Sequence, residues 1–314
     1  VGAVLVVLSA GSVAGAQVLV HRYTGNVHKA SLLGSGARRA EPANHATITG
    51  PLNYLLLGSD VRPQPDNPGR SDTIIILHVA ADHQSAYLVS IPRDLYVHID
   101  RCVYSESGCM DKINAGYEWG GAQLESTTVT EVTGVHFDGM AIIDFSGFGK
   151  VVDALGGVTM NVDETTPSQF DGNVVYTVGT HHFTGRQALD YCRQREEIPD
   201  GDYGRQRHQQ QLLKALLAGA ADSVTDPVKL DRVIRAGGSD LTVDLGGVSL
   251  ADLAFTLRGI RSDNLTTLRI PEIPLDQDGV SYQQLGDVGQ SLFAATAADG
   301  LADWATQHPD MVNH

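Results

Sequence analysis

Two groups of residues are of a type and spacing that could do chemistry. The first is a series of carboxylates and arginines, Asp60, Arg70, Asp72, Arg93 and Asp94. Asp60 and Asp72 suit a hard divalent cation, because Mg²⁺ takes one or two carboxylates and fills its remaining positions with water and phosphate oxygens. Asp beside Gly or Ser also serves turns and helix caps, and spacing alone leaves both readings open. The second group is a basic stretch with Arg186, Arg193, Arg195, Arg205 and Arg207, followed by Gln209. Guanidinium forks match phosphate oxygens and keep their charge at any working pH. Lys112 and Asn114, in DKINAGY, add a cation and an amide.

The elements that must position these groups can be read from hydrophobic patterning. Asn53–Gly58, Thr73–Ala80 and Ser85–Ile91 are short apolar or β-branched runs of strand character. The connection Ala81–Gln84 is short enough for an antiparallel hairpin. If the first run is also antiparallel to the second, Asp60, Arg70, Asp72, Arg93 and Asp94 arrive at one edge of one sheet. Helical patterns follow at Ala122–Thr133 and Phe145–Leu155, with strands at Gly139–Ile143 and Val158–Val162 and a stop at Gly156 and Gly157. Helices alternating with strands indicate a mixed α/β layered domain.

The basic stretch leads into another helix. Leu212, Leu213, Leu216 and Leu217 recur at helical spacing, and Asp202 serves as N-cap of a helix running to about Ala221. Arg205 then lies in the first turn with Gln209 on the same face, at a helix end whose free amides favour anions. This predicts a diphosphate site. A solvated helix start in which Glu196, Glu197 and Asp200 neutralise the arginines is the competing reading.

Bulk properties narrow the function. The 314 residues carry 37 acidic against 22 basic side chains, a net charge of −15, which speaks against a nucleic-acid binder and requires any bound anion to be held by a local cluster. Residues 1–20 are apolar and uncharged and read as a membrane span, truncated on its N-terminal side. Residues 21–50, rich in Gly, Ser, Ala, His and Asn, read as a stalk, and residues 51–314 as the folded domain. Cys102 and Cys109 lie close together in a loop-like segment, which suits a disulfide outside the cytoplasm. Cys192 reads as a packed thiol. The twelve histidines show no metal-binding spacing, and there is neither a strict serine nucleophile elbow nor a Walker loop.

From about Asn53 to Gln211 the chain resembles the LytR-CpsA-Psr family of cell-wall glycopolymer ligases. The motifs, in order, are LLLGSDVRP, GRSDTIIILHV, LVSIPRDLYV, DKINAGY, IDFSGFGKVVDALGGV and FTGRQALDYCRQR with GDYGRQRHQQ. The resemblance implies a membrane-anchored, extracytoplasmic phosphotransferase. Its central mixed sheet would be sandwiched by helices around an apolar cavity for a polyprenyl chain. Such an enzyme moves a glycan phosphate of a secondary wall polymer, such as arabinogalactan, teichoic acid or capsule, from a polyprenyl diphosphate to a peptidoglycan hydroxyl. Motif by motif, Asp60 and Asp72 fall at the family's magnesium-linked aspartates. Arg70, Arg93, Arg193, Arg195, Arg205 and Gln209 fall at positions that hold the diphosphate, with Lys112 counted beside them. Asp60, Asp72, Arg93 and Arg195 make up the expected catalytic set. Many relatives have Arg where His208 stands. The proton acceptor is open among Asp60, Asp72, Asp94 and Asp202. A polyprenyl diphosphate hydrolase, or a carrier-binding envelope regulator without turnover, are the alternative functions.

Overall fold

The computed structural model describes residues 28–39, 48–59, 69–194, 202–223, 232, 235–236, 241–248, 260 and 262–313. The expected membrane span at residues 1–20 lies outside them. Among the described residues no helix is long and apolar enough to cross a membrane. The chain forms two compact units, the larger built from Lys29–Asp144, Thr242–Ser249 and Asn264–His314, the smaller containing Phe145–Leu241 and Leu250–Asp263.

The larger unit is organised by a mixed sheet of eight strands. They are β1 (His28–Lys29), β2 (Leu52–Ser59), β3 (Ser71–Val79), β4 (Ala86–Ile91), β7 (Gly139–Asp144), β12 (Leu241–Asp244), β13 (Leu265–Leu268) and β16 (Val312–Asn313). Their order across the sheet is β1-β12-β7-β2-β3-β4-β13-β16. The three apolar runs of the sequence are β2, β3 and β4, and they pair antiparallel: Leu52 opposes Val79, and Ile74 opposes Ile91. β7 joins β2, and β13 joins β4, in parallel. All six residues of β4 are buried, as expected of a strand covered on both faces.

Leu55, Leu57, Ile74, Ile76, Val89 and Ile91 share one apolar core with Val129, Leu292, Phe293 and Trp304, each such side chain contributing about 1.5–3 kcal/mol on full burial. Three helices supply the latter: α1 (Ala115–Thr133), α5 (Asp287–Ala297) and α6 (Leu301–Gln307). Helix α1 begins earlier than its apolar pattern and is broken at Gly121 (φ 63°, ψ −159°), a conformation open to glycine because it lacks a Cβ. Residues 29–39, read from sequence as stalk, contribute Leu32, Leu33 and Ala37 to this core. Two hairpins complete the unit, β5 (Tyr96–Ile99) with β6 (Cys109–Lys112) and β14 (Pro274–Gln277) with β15 (Val280–Gln283).

The smaller unit packs α2 (Phe145–Leu155), α3 (Gly185–Arg193) and α4 (Asp202–Ser223) with two antiparallel strand pairs, β8 (Val158–Val162) with β11 (Gly179–Phe183) and, between them in the chain, β9 (Thr166–Pro167) with β10 (Val175–Tyr176). The alternating strand β8 turns Val158, Met160 and Val162 inward, where they meet Tyr191, Cys192, Leu212 and Leu216. Asp202 is the first residue of α4 instead of the residue before it, so the sequence-predicted cap is displaced by one position.

Candidate functional site

The antiparallel register of β2, β3 and β4 brings Arg70, Asp72, Arg93 and Asp94 to one sheet edge, as their spacing predicts. Asp60 lies outside the described residues. Arg93 follows β4 and donates from Nη1 to Asp72 Oδ1, and its Nε lies 3.8 Å from Asp94 Oδ2. Asp94 Oδ1 in turn stands 2.8 Å from Lys112 Nζ. The hairpin explains why Lys112 is there. Tyr96 pairs with Lys112, and the Ile113 and Asn114 amides donate to the carbonyls of Leu95 and Arg93. Lys112 also sits over the Tyr282 ring, 5.7 Å from its centroid, a cation–π arrangement. The result is a chain of alternating charges, Asp72–Arg93–Asp94–Lys112. Their side chains keep 22%, 20%, 15% and 23% of their surface exposed, enough for a ligand to reach them.

Arg70 sits beside this chain, its Nε 2.6 Å from Glu118 Oε2 of α1. Next to it, Ser71 Oγ donates to Glu125 Oε1 at 2.8 Å. Glu125 is fully buried, and burial pushes its carboxyl up to about 8, opposed by the Ser71 bond. Sequence reading missed Glu125, although a signal existed: it lies on the helical stripe that continues through Val129 and Thr133, both buried.

In the smaller unit, Arg193 ends α3 with its guanidinium 5.7 Å from the Phe170 ring centroid. Arg205 and Gln209 lie one turn apart on α4 and are both buried. Arg195 lies outside the described residues. His208, left open by the sequence, is also buried. Its ring stacks on Tyr191 with centroids 3.9 Å apart, its Nδ1 is 3.2 Å from the Tyr191 carbonyl, and its Nε2 is 3.3 Å from Asp163 Oδ1. Asp163 also accepts from Arg207 Nε at 2.7 Å and from the Tyr191 hydroxyl at 3.1 Å. The hydrogen bond from His208, with the Arg207 charge, outweighs desolvation and holds the Asp163 carboxyl well below the usual carboxylate range. His208 therefore ties α4 to α3 and β8. Arg186 is exposed on α3.

The cysteine expectation is corrected. Cys102 and Cys109 are free thiols. A Cys102–Ser105 bridge of backbone hydrogen bonds and the Ile99–Cys109 pair already close this loop. Burial, together with its hydrogen bond to Cys102, pushes the Cys109 thiol up to about 12. Cys192 is buried, as expected, and donates to the His208 carbonyl at 3.3 Å.

Among the described residues no group of three or more His, Cys, Asp or Glu is placed to hold an ion. Asp72 does offer a partly exposed hard oxygen of the kind Mg²⁺ takes, and that ion often uses one or two carboxylates together with substrate phosphate.

Comparison with known proteins follows the motifs. The model of the LytR_cpsA_psr family matches residues 20–293. The polyisoprenyl-teichoic acid–peptidoglycan teichoic acid transferase TagU of Enterococcus faecalis is 32% identical over 242 residues, 76% of this chain and 75% of the relative. TagU of Bacillus subtilis is 32% identical over 213 residues, 67% of this chain and 65% of the relative. The crystal structure of B. subtilis TagV superposes with a TM-score of 0.67 at 25% identity, covering 82% of this chain and 99% of that one.

Proposed function

We propose, on the premise that this chain belongs to the LytR_cpsA_psr family, that it is a glycopolymer–peptidoglycan transferase using a polyprenyl diphosphate-linked glycan as donor. The relatives' transferase names support the reaction class. The observation that carries the finer reading is the partly exposed Asp72–Arg93–Asp94–Lys112 chain at the sheet edge. A diphosphate entering there exchanges carboxylate partners for phosphate oxygens on Arg93 and Lys112, so the cations are already placed when substrate binds. Such preorganised positive charge is the main means of stabilising a transferring phosphoryl group. Arg70, Arg193, Arg195, Arg205 and Gln209 are assigned to the diphosphate by the motif match.

Asp60 and Asp72 would hold Mg²⁺, which when bound supplies further neutralisation of phosphate charge. The acceptor sugar hydroxyl attacks the glycan-bearing phosphorus, the bond to polyprenyl phosphate breaks, and the hydroxyl proton passes to one of the carboxylates Asp60, Asp72, Asp94 and Asp202. Asp72 and Asp94 hold Arg93 and Lys112 in place until the diphosphate takes over their donors. An apolar cavity for the prenyl chain and an N-terminal membrane anchor, with the catalytic domain outside the cytoplasm, complete the proposal.

The test is mass spectrometry of products from a synthetic polyprenyl diphosphate sugar and peptidoglycan fragments. A sugar phosphate joined to peptidoglycan, with release of polyprenyl phosphate, supports transfer. Free sugar phosphate alone would make the protein a hydrolase, and unchanged donor would leave the regulator.

A further inference from the structure

Glu125 stands in the second half of α1, past the break at Gly121, with no exposed surface. Its Oε1 accepts from Ser71 Oγ at the start of β3, and its Oε2 is packed directly against Gly116 in the first half of α1. One side chain therefore joins three pieces of chain. Two of them carry groups already assigned to the donor or its surroundings. Arg70 and Asp72 flank Ser71, and Glu118, which holds Arg70 at 2.6 Å, follows Tyr117.

The local fit is close. A Cβ added at Gly116 would lie 2.7 Å from Glu125 Oε2, so glycine there leaves the room that the carboxyl occupies. Burying a carboxyl is costly unless its hydrogen bonds return the loss, and here Ser71 bonds Oε1 while Oε2 is buried without a hydrogen-bond partner among the described residues. We propose that Glu125 is a positioning residue that fixes Arg70 and Asp72 at the sheet edge by crosslinking β3 to both halves of the broken helix. It touches no substrate and acts through Ser71 and the first half of α1. Because burial pushes its carboxyl up to about 8, the folded protein holds it mainly uncharged at neutral pH, which is the state a glutamine amide can imitate.

This inference rests on the proposed function for its catalytic readout, so the experiment has a second arm that does not. Wild type, Glu125→Gln, Glu125→Leu and Ser71→Ala, all as the full chain, are assayed with the synthetic polyprenyl diphosphate sugar and peptidoglycan fragments. Amide hydrogen exchange of residues 70–73 and 115–120, together with Trp119 fluorescence, is measured without substrate. Glu125→Gln is expected to keep turnover within about threefold. Glu125→Leu should lose up to roughly 100-fold in kcat, the scale on which ångström-sized misplacement acts, and lose protection at both segments.

Ser71→Ala removes the hydroxyl donor without altering the helix, and stands in if Glu125→Leu does not fold. It should lower kcat by roughly 10-fold and loosen residues 115–120. Turnover and protection unchanged in Ser71→Ala and Glu125→Leu overturn the proposal. So does an equal loss in Gln and Leu without any change in exchange. If wild type transfers nothing, the transferase reading fails, and exchange alone decides whether Glu125 holds the edge.

Discussion

The two ends of β2, β3 and β4 carry similar residue types in different surroundings. At one end, Asp72, Arg93, Asp94 and Lys112 are each about one fifth exposed and alternate in charge. At the other, His78 is sealed, its Nδ1 2.7 Å from Asn53 Oδ1 and its Nε2 2.9 Å from Asp299 Oδ1. Asn53 is equally buried, and its backbone N–H donates to Asp138, which Arg39 approaches at 3.5 Å. A buried pair such as His78 and Asn53 gives up its partners only at the cost of leaving buried groups unpaired. Partly exposed pairs contribute little to stability and can trade a carboxylate for a phosphate. What separates the two ends is the buried His78–Asn53 pair, since Asp299 and Arg39 around it stay 26% and 33% exposed.

The sharpest way to break this comparison is Asp72→Ala. Turnover should fall by about 100-fold or more, the scale on which preorganised electrostatic groups act, while the melting temperature stays within a few degrees. Chelator-insensitive activity equal to wild type would remove both the metal assignment and the working end. Arg93→Lys keeps the charge but loses the fork that reaches Asp72 and Asp94, and kcat should drop by roughly 10-fold or more. A rate equal to wild type would reduce the edge to general charge attraction.

At the sealed end the effect should appear in stability instead. His78→Ala strands Asn53 and Asp299, and chemical denaturation should show a loss of about 1–3 kcal/mol, with kcat preserved where the variant is folded. A kcat loss matching that of Asp72→Ala would mean the two ends are not separable.

Glu125 offers a subtler test through pH. Its carboxyl is raised in the folded state, from an ordinary 4.5 to about 8. The stability it contributes is therefore fully present below 4.5 and is lost as pH rises through 8. Thermal melts of wild type and Glu125→Gln should diverge by several degrees in favour of Gln across that window, and parallel curves would show that the group does not titrate as its burial requires. The smallest effect should come from Asp82→Ala in the β3–β4 turn, which removes bonds to the Gln84 and Ser85 amides. It should cost under about 1 kcal/mol and leave kcat unchanged.

Much of this arrangement was legible in the sequence because it depends on local rules. Strands β2 to β4 follow from β-branched apolar runs, and the four-residue connection at 81–84 dictates antiparallel pairing. Together these place Arg70, Asp72, Arg93 and Asp94 at one edge. The motif order was sufficient to indicate the family, since a series of spaced motifs constrains far more than any one of them. What depends on contacts between distant segments was not legible. Lys112 reaches Asp94 because a hairpin folds back, and Leu33 and Ala37 join the core because β1 pairs with β12, 212 residues apart at the Leu32 amide to Asp244 bond.

The cysteine spacing suggested a covalent link, whereas the loop is closed by backbone hydrogen bonds that leave no sequence signature. Burial decided the remaining assignments. His208 and Glu125 are ordinary polar letters in the sequence, and each takes its role from being withdrawn from water beside particular neighbours, Asp163 and Tyr191 for one, Ser71 and Gly116 for the other. Sequence periodicity determines which face of an element is apolar. Only tertiary packing decides which polar groups that face carries inside and what they must then hold in place, because the cost of an unmet hydrogen bond arises only once water has been excluded.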